Sequence, residues 1–326
     1  MKTRILGIIL LISILVLAAC GNEQQQNKES KLTIYTTVYP LQYFTERIGA
    51  EQVSVKSVYP PGSDEHTFEP SQKDMMKLAD ADLFFYIGYG LEGFAQKAEK
   101  TLKNEQVKFT AIGEKIDVES QSHQNENHEE HEHDGHEHEE HEHGEEDGHH
   151  HGDVNPHLWI DPIYAKELAE QILQQLVEAK PEYKSEFEKN YKDLTTKFDQ
   201  LDQDFSEMTQ AAKRKQFVVA HAAYSYWESR YGLEQMAISG ISSTEEPSQK
   251  KLQSIVDAIN EKNVPFIFVE QNINSHLAEV IQKETGTQIL HIHNLAVLTE
   301  NDMQNHEDYV SLMEKNLTAL KKALND

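Results

Sequence analysis

Phe187, Tyr191, Leu194, Phe198, Leu201, Phe205 and Met208 recur at alternating spacings of four and three residues. That period lays all seven on one face of an α-helix, with the Lys, Asp, Glu and Gln residues between them on the other. Pro181 suits a first helical turn, where its missing N–H costs nothing. A helix over about 182 to 210 is roughly 40 Å long at 1.5 Å per residue. A rod of that length with one apolar edge must lie along a body of comparable height. The stripe therefore reads as core and the helix as a stiff connector, not as a cofactor-binding box.

What it connects is legible on either side. Short runs rich in β-branched and aromatic residues stand at 31–38, 53–59, 82–87 and 107–112, with helical periodicity near 41–50, 71–80 and 91–103. A second series of runs occupies 217–220, 235–238, 265–269 and 288–292, again with helices between. Strand alternating with helix is the signature of parallel α/β architecture. The expected fold is two α/β lobes joined by a long rigid helix, with 31–162 as the N-terminal lobe, 163–213 as the helical connector and 214–326 as the C-terminal lobe. At 326 residues the chain has the length for two lobes.

Residues 118–153 interrupt the pattern. They hold fourteen acids and eleven histidines, at 123, 128, 131, 133, 136, 138, 141, 143, 149, 150 and 151, with no Lys, Arg or apolar run. With no face to bury, the segment cannot offset the entropy of ordering and is expected to be a disordered loop. Alternating imidazole and carboxylate make His128, His131, His133, His136, His138, His141, His143, His149, His150 and His151 weak, exchangeable ligands, an accessory metal loop without fixed geometry. The loop carries 14 of the 26 excess negative charges, so the remainder is only mildly acidic. No basic cluster of the kind that grips a polyanion is present, which argues against nucleic acid and for a cation.

The first twenty residues have a secretory pattern: Lys2 and Arg4, an apolar stretch over 5–17, then Leu17-Ala18-Ala19-Cys20. The apolar stretch is shorter than the roughly 20 residues that span a bilayer. The tetrapeptide resembles a bacterial lipobox, which implies a signal peptide over 1–19, a lipid on Cys20 and a flexible tether to residue 30; a plain cleaved signal is the alternative. Because Cys20 is the chain's one cysteine, any metal site must be built from His and carboxylates.

Three histidines outside the loop stand at element ends. His66 lies in the turn-rich PPGSDEHTFEP, His157 in NPHLWIDP, and His221 ends the run FVVA. Open α/β sheets bind ligands beyond the carboxyl ends of their strands, where His66 and His221 would project from different lobes toward one cleft. Taken singly, each is more often a structural histidine than a ligand.

The motifs PPGSDEHTFEPSQKD, NPHLWIDP, VVAHAAYSYW, EPSQKKL, PFIFVE and DYVSLMEKNLTALKKAL, in that order, resemble the cluster A-I solute-binding lipoproteins of zinc and manganese ABC importers. The resemblance runs over the whole chain after the tether. It implies two α/β lobes with a metal in the cleft between them, and it places His66, His157 and His221 on ligand positions. Manganese members carry Glu where this chain has His221, so His221 and the His-rich loop favour Zn2+ over Mn2+. The chain departs from the family at Ala296, where an Asp or Glu is usual. Glu65 or water can take that corner, with Glu270, His291 and His293 as weaker candidates or structural groups. The reading is a monomeric, non-enzymatic, lipid-anchored protein outside the cytoplasm that passes zinc to an ABC permease and its ATPase. Manganese import, extracellular zinc buffering or adhesion, and zinc-dependent hydrolysis are the alternatives.

Overall fold

The computed structural model describes residues 30–118, 154–271 and 276–326, of which Leu32–Asp326 belong to one compact unit. The expected signal peptide, Cys20, almost all of the tether and every histidine of the acidic loop lie outside the described residues. Among those described, no helix is long and apolar enough to cross a membrane.

Two four-stranded parallel sheets are present among the described residues. The first contains β1 (Leu32–Thr36), β2 (Val53–Ser57), β3 (Leu83–Tyr86) and β4 (Lys108–Ala111), in the order β2-β1-β3-β4. The second contains β5 (Gln216–Val219), β6 (Glu234–Ala237), β7 (Phe266–Glu270) and β8 (Gln288–Ile292), in the matching order β6-β5-β7-β8. All eight fall on the runs read from the sequence. The central strands are nearly continuous in apolar residues because both their faces are covered: β3, LFFY, is buried at every position.

The same order gives both sheets the same switch point, between the first and third strands of each. In the first sheet a buried acid closes it. Glu92 accepts bonds from the Thr37 hydroxyl at 2.7 Å and from the Ile87 and Gly88 amides at 2.9 and 3.0 Å. In the second sheet the crevice beyond β5 and β7 holds His221 and Glu270 instead. The second switch point is thus the one available to a ligand.

The apolar stripe forms a helix over Lys184–Ala211, preceded by a single 3-10 turn that starts at Pro181. Its 28 residues make a rod of about 42 Å. Phe198 packs on Phe44 and Tyr309 with ring centroids 5.1 and 5.3 Å away, while Phe205 meets Trp227 at 5.2 Å and Tyr231 at 5.4 Å. Phe44 belongs to the first half of the chain and the other three to the second. One helix edge therefore joins both halves in a main core that runs from Phe84 to Phe268, with a smaller separate core around Val218, Ile255 and Ile267. The lobes are stitched by packing, not only by covalent connection.

Candidate metal centre

The segment that carries His157 is held from the C-terminal half. Asn155 donates from Nδ2 to the Ala222 carbonyl at 2.7 Å and to the Ser225 hydroxyl at 2.9 Å, and its own carbonyl accepts from Tyr226. Trp159 donates to the Asn294 carbonyl at 2.7 Å, Tyr309 donates to the Trp159 carbonyl at 2.6 Å, and Trp227 donates to the Ile160 carbonyl at 2.9 Å. Asp161 ends the strap. Its Oδ1 caps the helix Pro162–Ala179 by accepting from Ile163 and Tyr164, and its Oδ2 pairs with Arg230. Asp161→Ala is expected to cost about 1–2 kcal/mol of unfolding free energy, about 1 from the lost cap and up to about 1 from the lost ion pair, because Arg230 is exposed and water takes up its freed charge. Denaturant titration reads this directly.

His66 arrives on a different loop. Pro60 and Pro61 end β2's extension, and Gly62 turns the chain at φ +71°, a conformation that glycine adopts without strain. The Gly62 amide then donates to the Leu298 carbonyl at 3.0 Å, and Tyr59 donates to the Glu65 carbonyl at 3.2 Å. Asp64 accepts from the His66 amide at 2.8 Å through one oxygen and from Ser243, across the cleft, at 2.7 Å through the other. The loop is tied to both walls of the cleft.

These elements bring Glu65, His66, His157 and His221 together, with one ligand atom from each within 4.8 Å of the others. His157 and His221 are fully buried and Glu65 is 2 % exposed. Ring orientation follows from what lies behind each ring. His157 Nδ1 is 2.6 Å from Asn155 Oδ1, which fixes the proton on Nδ1 and leaves Nε2 facing inward. His221 Nδ1 lies 2.8 Å from Glu270 Oε1, a charge contact rather than a well-aligned hydrogen bond. The two inward Nε2 atoms are then 3.3 Å apart. Two donors of a tetrahedral ion with bonds of about 2.0–2.1 Å stand about 3.3–3.4 Å from each other. His66 Nε2 is buried with no hydrogen-bond partner, which asks for an ion.

Electrostatics divide the four groups. Burial pushes the Glu65 carboxyl up to about 7 against the pull of a charged His221. Burial, reinforced by that same charge, takes His66 down to about 4 and drives His157 well below the ordinary histidine range. Burial also opposes charge on His221, but the carboxylates of Glu270, Glu65 and Asp64 outweigh it and raise its pKa. Two imidazoles are thus neutral and ready to bind a cation, while the other two groups hold protons that a cation must displace. Beside His221 a cavity of about 330 Å³, lined by Ser243, Thr244, Glu245, Glu246 and His276 among others, offers a cation an acidic approach.

The weaker sequence candidates stand elsewhere. Glu270 is behind His221, where it also accepts from the Tyr224 hydroxyl at 3.1 Å. His291 is exposed on β8. His293 is a structural group: its Nδ1 accepts from the Leu295 amide at 2.9 Å and its Nε2 faces Asp302 at 3.2 Å. Ala296 is fully buried in the core, its carbonyl accepting from the Tyr39 amide. Three contributors escaped sequence reading: Tyr224, which braces Glu270; Asn294, which bonds Glu65; and Asn155 as an orienting group. Only Asn155 had a signal, its place two residues before His157.

Residues 34–323 match the sequence profile of the periplasmic zinc-uptake complex component A, ZnuA. The zinc-binding lipoprotein AdcA of Streptococcus pneumoniae is 37% identical over 309 residues, which is 94% of this chain; the chain spans 58% of that relative's length. The high-affinity zinc uptake system protein ZnuA of Bacillus subtilis is 32% identical over 314 residues and is covered over 94% of its length. The Zn(II)-bound ZnuA-like domain of AdcA superposes with a TM-score of 0.72 at 32% identity, over 91% of this chain and 100% of that domain.

Proposed function

The chain belongs to the zinc-uptake complex component A family, and on that premise we propose that it captures one zinc ion outside the cytoplasm and delivers it to a membrane permease of the ATP-binding-cassette class. The observation that carries this reading is the buried set of three imidazoles and one carboxylate, with two Nε2 atoms already at the spacing of a tetrahedron's edge. Glu65, His66, His157 and His221 are the ligands. Glu65 takes the corner that Ala296 does not supply. A set with one carboxylate among four donors suits zinc better than manganese, which favours oxygen.

Capture proceeds by proton displacement. The ion enters past the acidic cavity, meets the neutral Nε2 atoms of His66 and His157, and expels the protons held by Glu65 and His221. Glu270 keeps His221 turned inward throughout. A carboxylate on the fourth corner and burial of the set leave no open position for an activated water, so the zinc serves as cargo and not as a hydrolytic centre. A lipid on Cys20 anchors the monomer beside the permease and its ATPase.

The reading is tested by stripping the protein with a chelator and titrating it with zinc and manganese against a chromogenic competitor. One tight zinc equivalent that manganese fails to displace at equal concentration is expected; manganese preference would contradict it. Deletion of 118–153, the accessory loop, is expected to remove several weak zinc equivalents and keep the tight one. Loss of the tight equivalent would join loop and site into one centre.

A further inference from the structure

Asn294 is fully buried and stands between the two acids of the cleft. Its Nδ2 is 3.0 Å from Glu65 Oε1 and 3.4 Å from Glu270 Oε2, so one amide group faces a carboxylate from each half of the chain. The orientation of that amide is determined by its neighbours. Oδ1 accepts from the Ala296 amide at 3.1 Å and from Gln271 Nε2 at 3.2 Å, two donors that require an oxygen there. The main chain is pinned as well. The Asn294 carbonyl accepts from Trp159 Nε1, and Leu295 next to it holds φ +63°, a left-handed conformation costly for any residue with a Cβ. A strained turn thus aims an amide donor at one oxygen of Glu65.

We propose that Asn294 is a specificity-determining residue that keeps Glu65 a one-oxygen ligand, and so keeps the centre four-coordinate. The inference rests on the zinc-binding reading above. A carboxylate oxygen that accepts a buried 3.0 Å bond from an amide is drawn away from a second bond to the metal. Three imidazole nitrogens and one oxygen complete a tetrahedron, the usual arrangement for zinc. Both oxygens of Glu65 would make five bonds and favour ions that take more oxygen donors, such as manganese.

Zinc-edge X-ray absorption on the loaded wild-type protein counts the donors. Four are expected, three nitrogen and one oxygen; five, with both Glu65 oxygens bound, would overturn the proposal without recourse to any variant. Asn294→Ala and Asn294→Leu remove the donor. With cobalt as probe, the wild type is expected to show the intense visible bands of a four-coordinate ion. The variants are expected to show bands weakened by half or more, and a zinc-to-manganese affinity ratio lowered about tenfold, within the range seen when a group behind a metal ligand is lost. Folded variants that keep the wild-type spectrum and ratio would overturn the inference alone. A wild type whose cobalt spectrum is not four-coordinate, or is unaltered by Glu65→Gln, would overturn the ligand assignment and the inference with it.

Discussion

His157→Ala is expected to weaken zinc binding by about 100-fold. A zinc ion held by four protein donors has an apparent binding free energy of about 10–16 kcal/mol near neutral pH, so each donor carries about 3 kcal/mol, or about two decades of affinity. His157 is the sharpest choice among the four because its Nε2 is oriented by Asn155 and stands 3.3 Å from that of His221. Chelator competition measures the loss, and far-UV circular dichroism checks that the fold survives. His291→Ala is the matched control. Its ring is exposed on β8 outside the cluster, so its affinity should remain within about twofold of wild type. Equal, small effects at both positions would place the ion elsewhere.

The second large effect is on pH. Glu65 has a pKa of about 7 in the metal-free protein because it is buried, and His221 lies above the ordinary histidine value because Glu270 overrides its burial. Both carry protons below those values and must lose them to bind zinc. Affinity therefore falls as pH drops through about 7, the Glu65 value, and its slope approaches one decade per unit for each proton displaced. Between pH 7 and 5.5 the Glu65 proton alone accounts for about 16-fold, and a proton on His221 steepens the fall further. His66, at about 4, and His157, driven well below the ordinary histidine range by burial, are neutral across this interval and add nothing. Calorimetry in buffers of different ionisation enthalpy counts the protons released at pH 6. One or two are expected. Three or more would mean that His66 or His157 is charged before the ion arrives, and a flat affinity profile would mean that neither Glu65 nor His221 binds.

The fold could be read from the chain because its periodicities are long and uninterrupted. A stripe from Phe187 to Met208 admits one structure, and eight short apolar runs separated by helical stretches admit few arrangements other than parallel sheets. The three histidines were set apart only by the resemblance of their motifs to the family, since a histidine at an element end is by itself more often structural, and Glu65 entered beside water as an option for the corner left by Ala296. What supports them was less visible. Asn294 and Glu65 are separated by 229 positions, and Asn155 reaches residues 67 and 70 positions away. Neutral amides carry neither period nor charge to announce such contacts. The sequence left Glu270 open as a ligand or a supporting group; its carboxylate ends β7 facing His221 Nδ1, on the ring's side away from Nε2, as a supporting group would. His293 likewise has both ring nitrogens engaged, Nδ1 by the Leu295 amide in its own turn and Nε2 by Asp302 of the short helix nine residues on.

Diffraction from zinc-loaded crystals, recorded on both sides of the zinc absorption edge, tests the centre most directly. A single strong anomalous peak that vanishes below the edge is expected among Glu65, His66, His157 and His221, with the three nitrogens at about 2.0–2.1 Å and one carboxylate oxygen at about 2.0–2.2 Å. A peak bonded instead to Glu270, His291 or His293, or a peak among the four that lacks the zinc edge, would contradict the assignment.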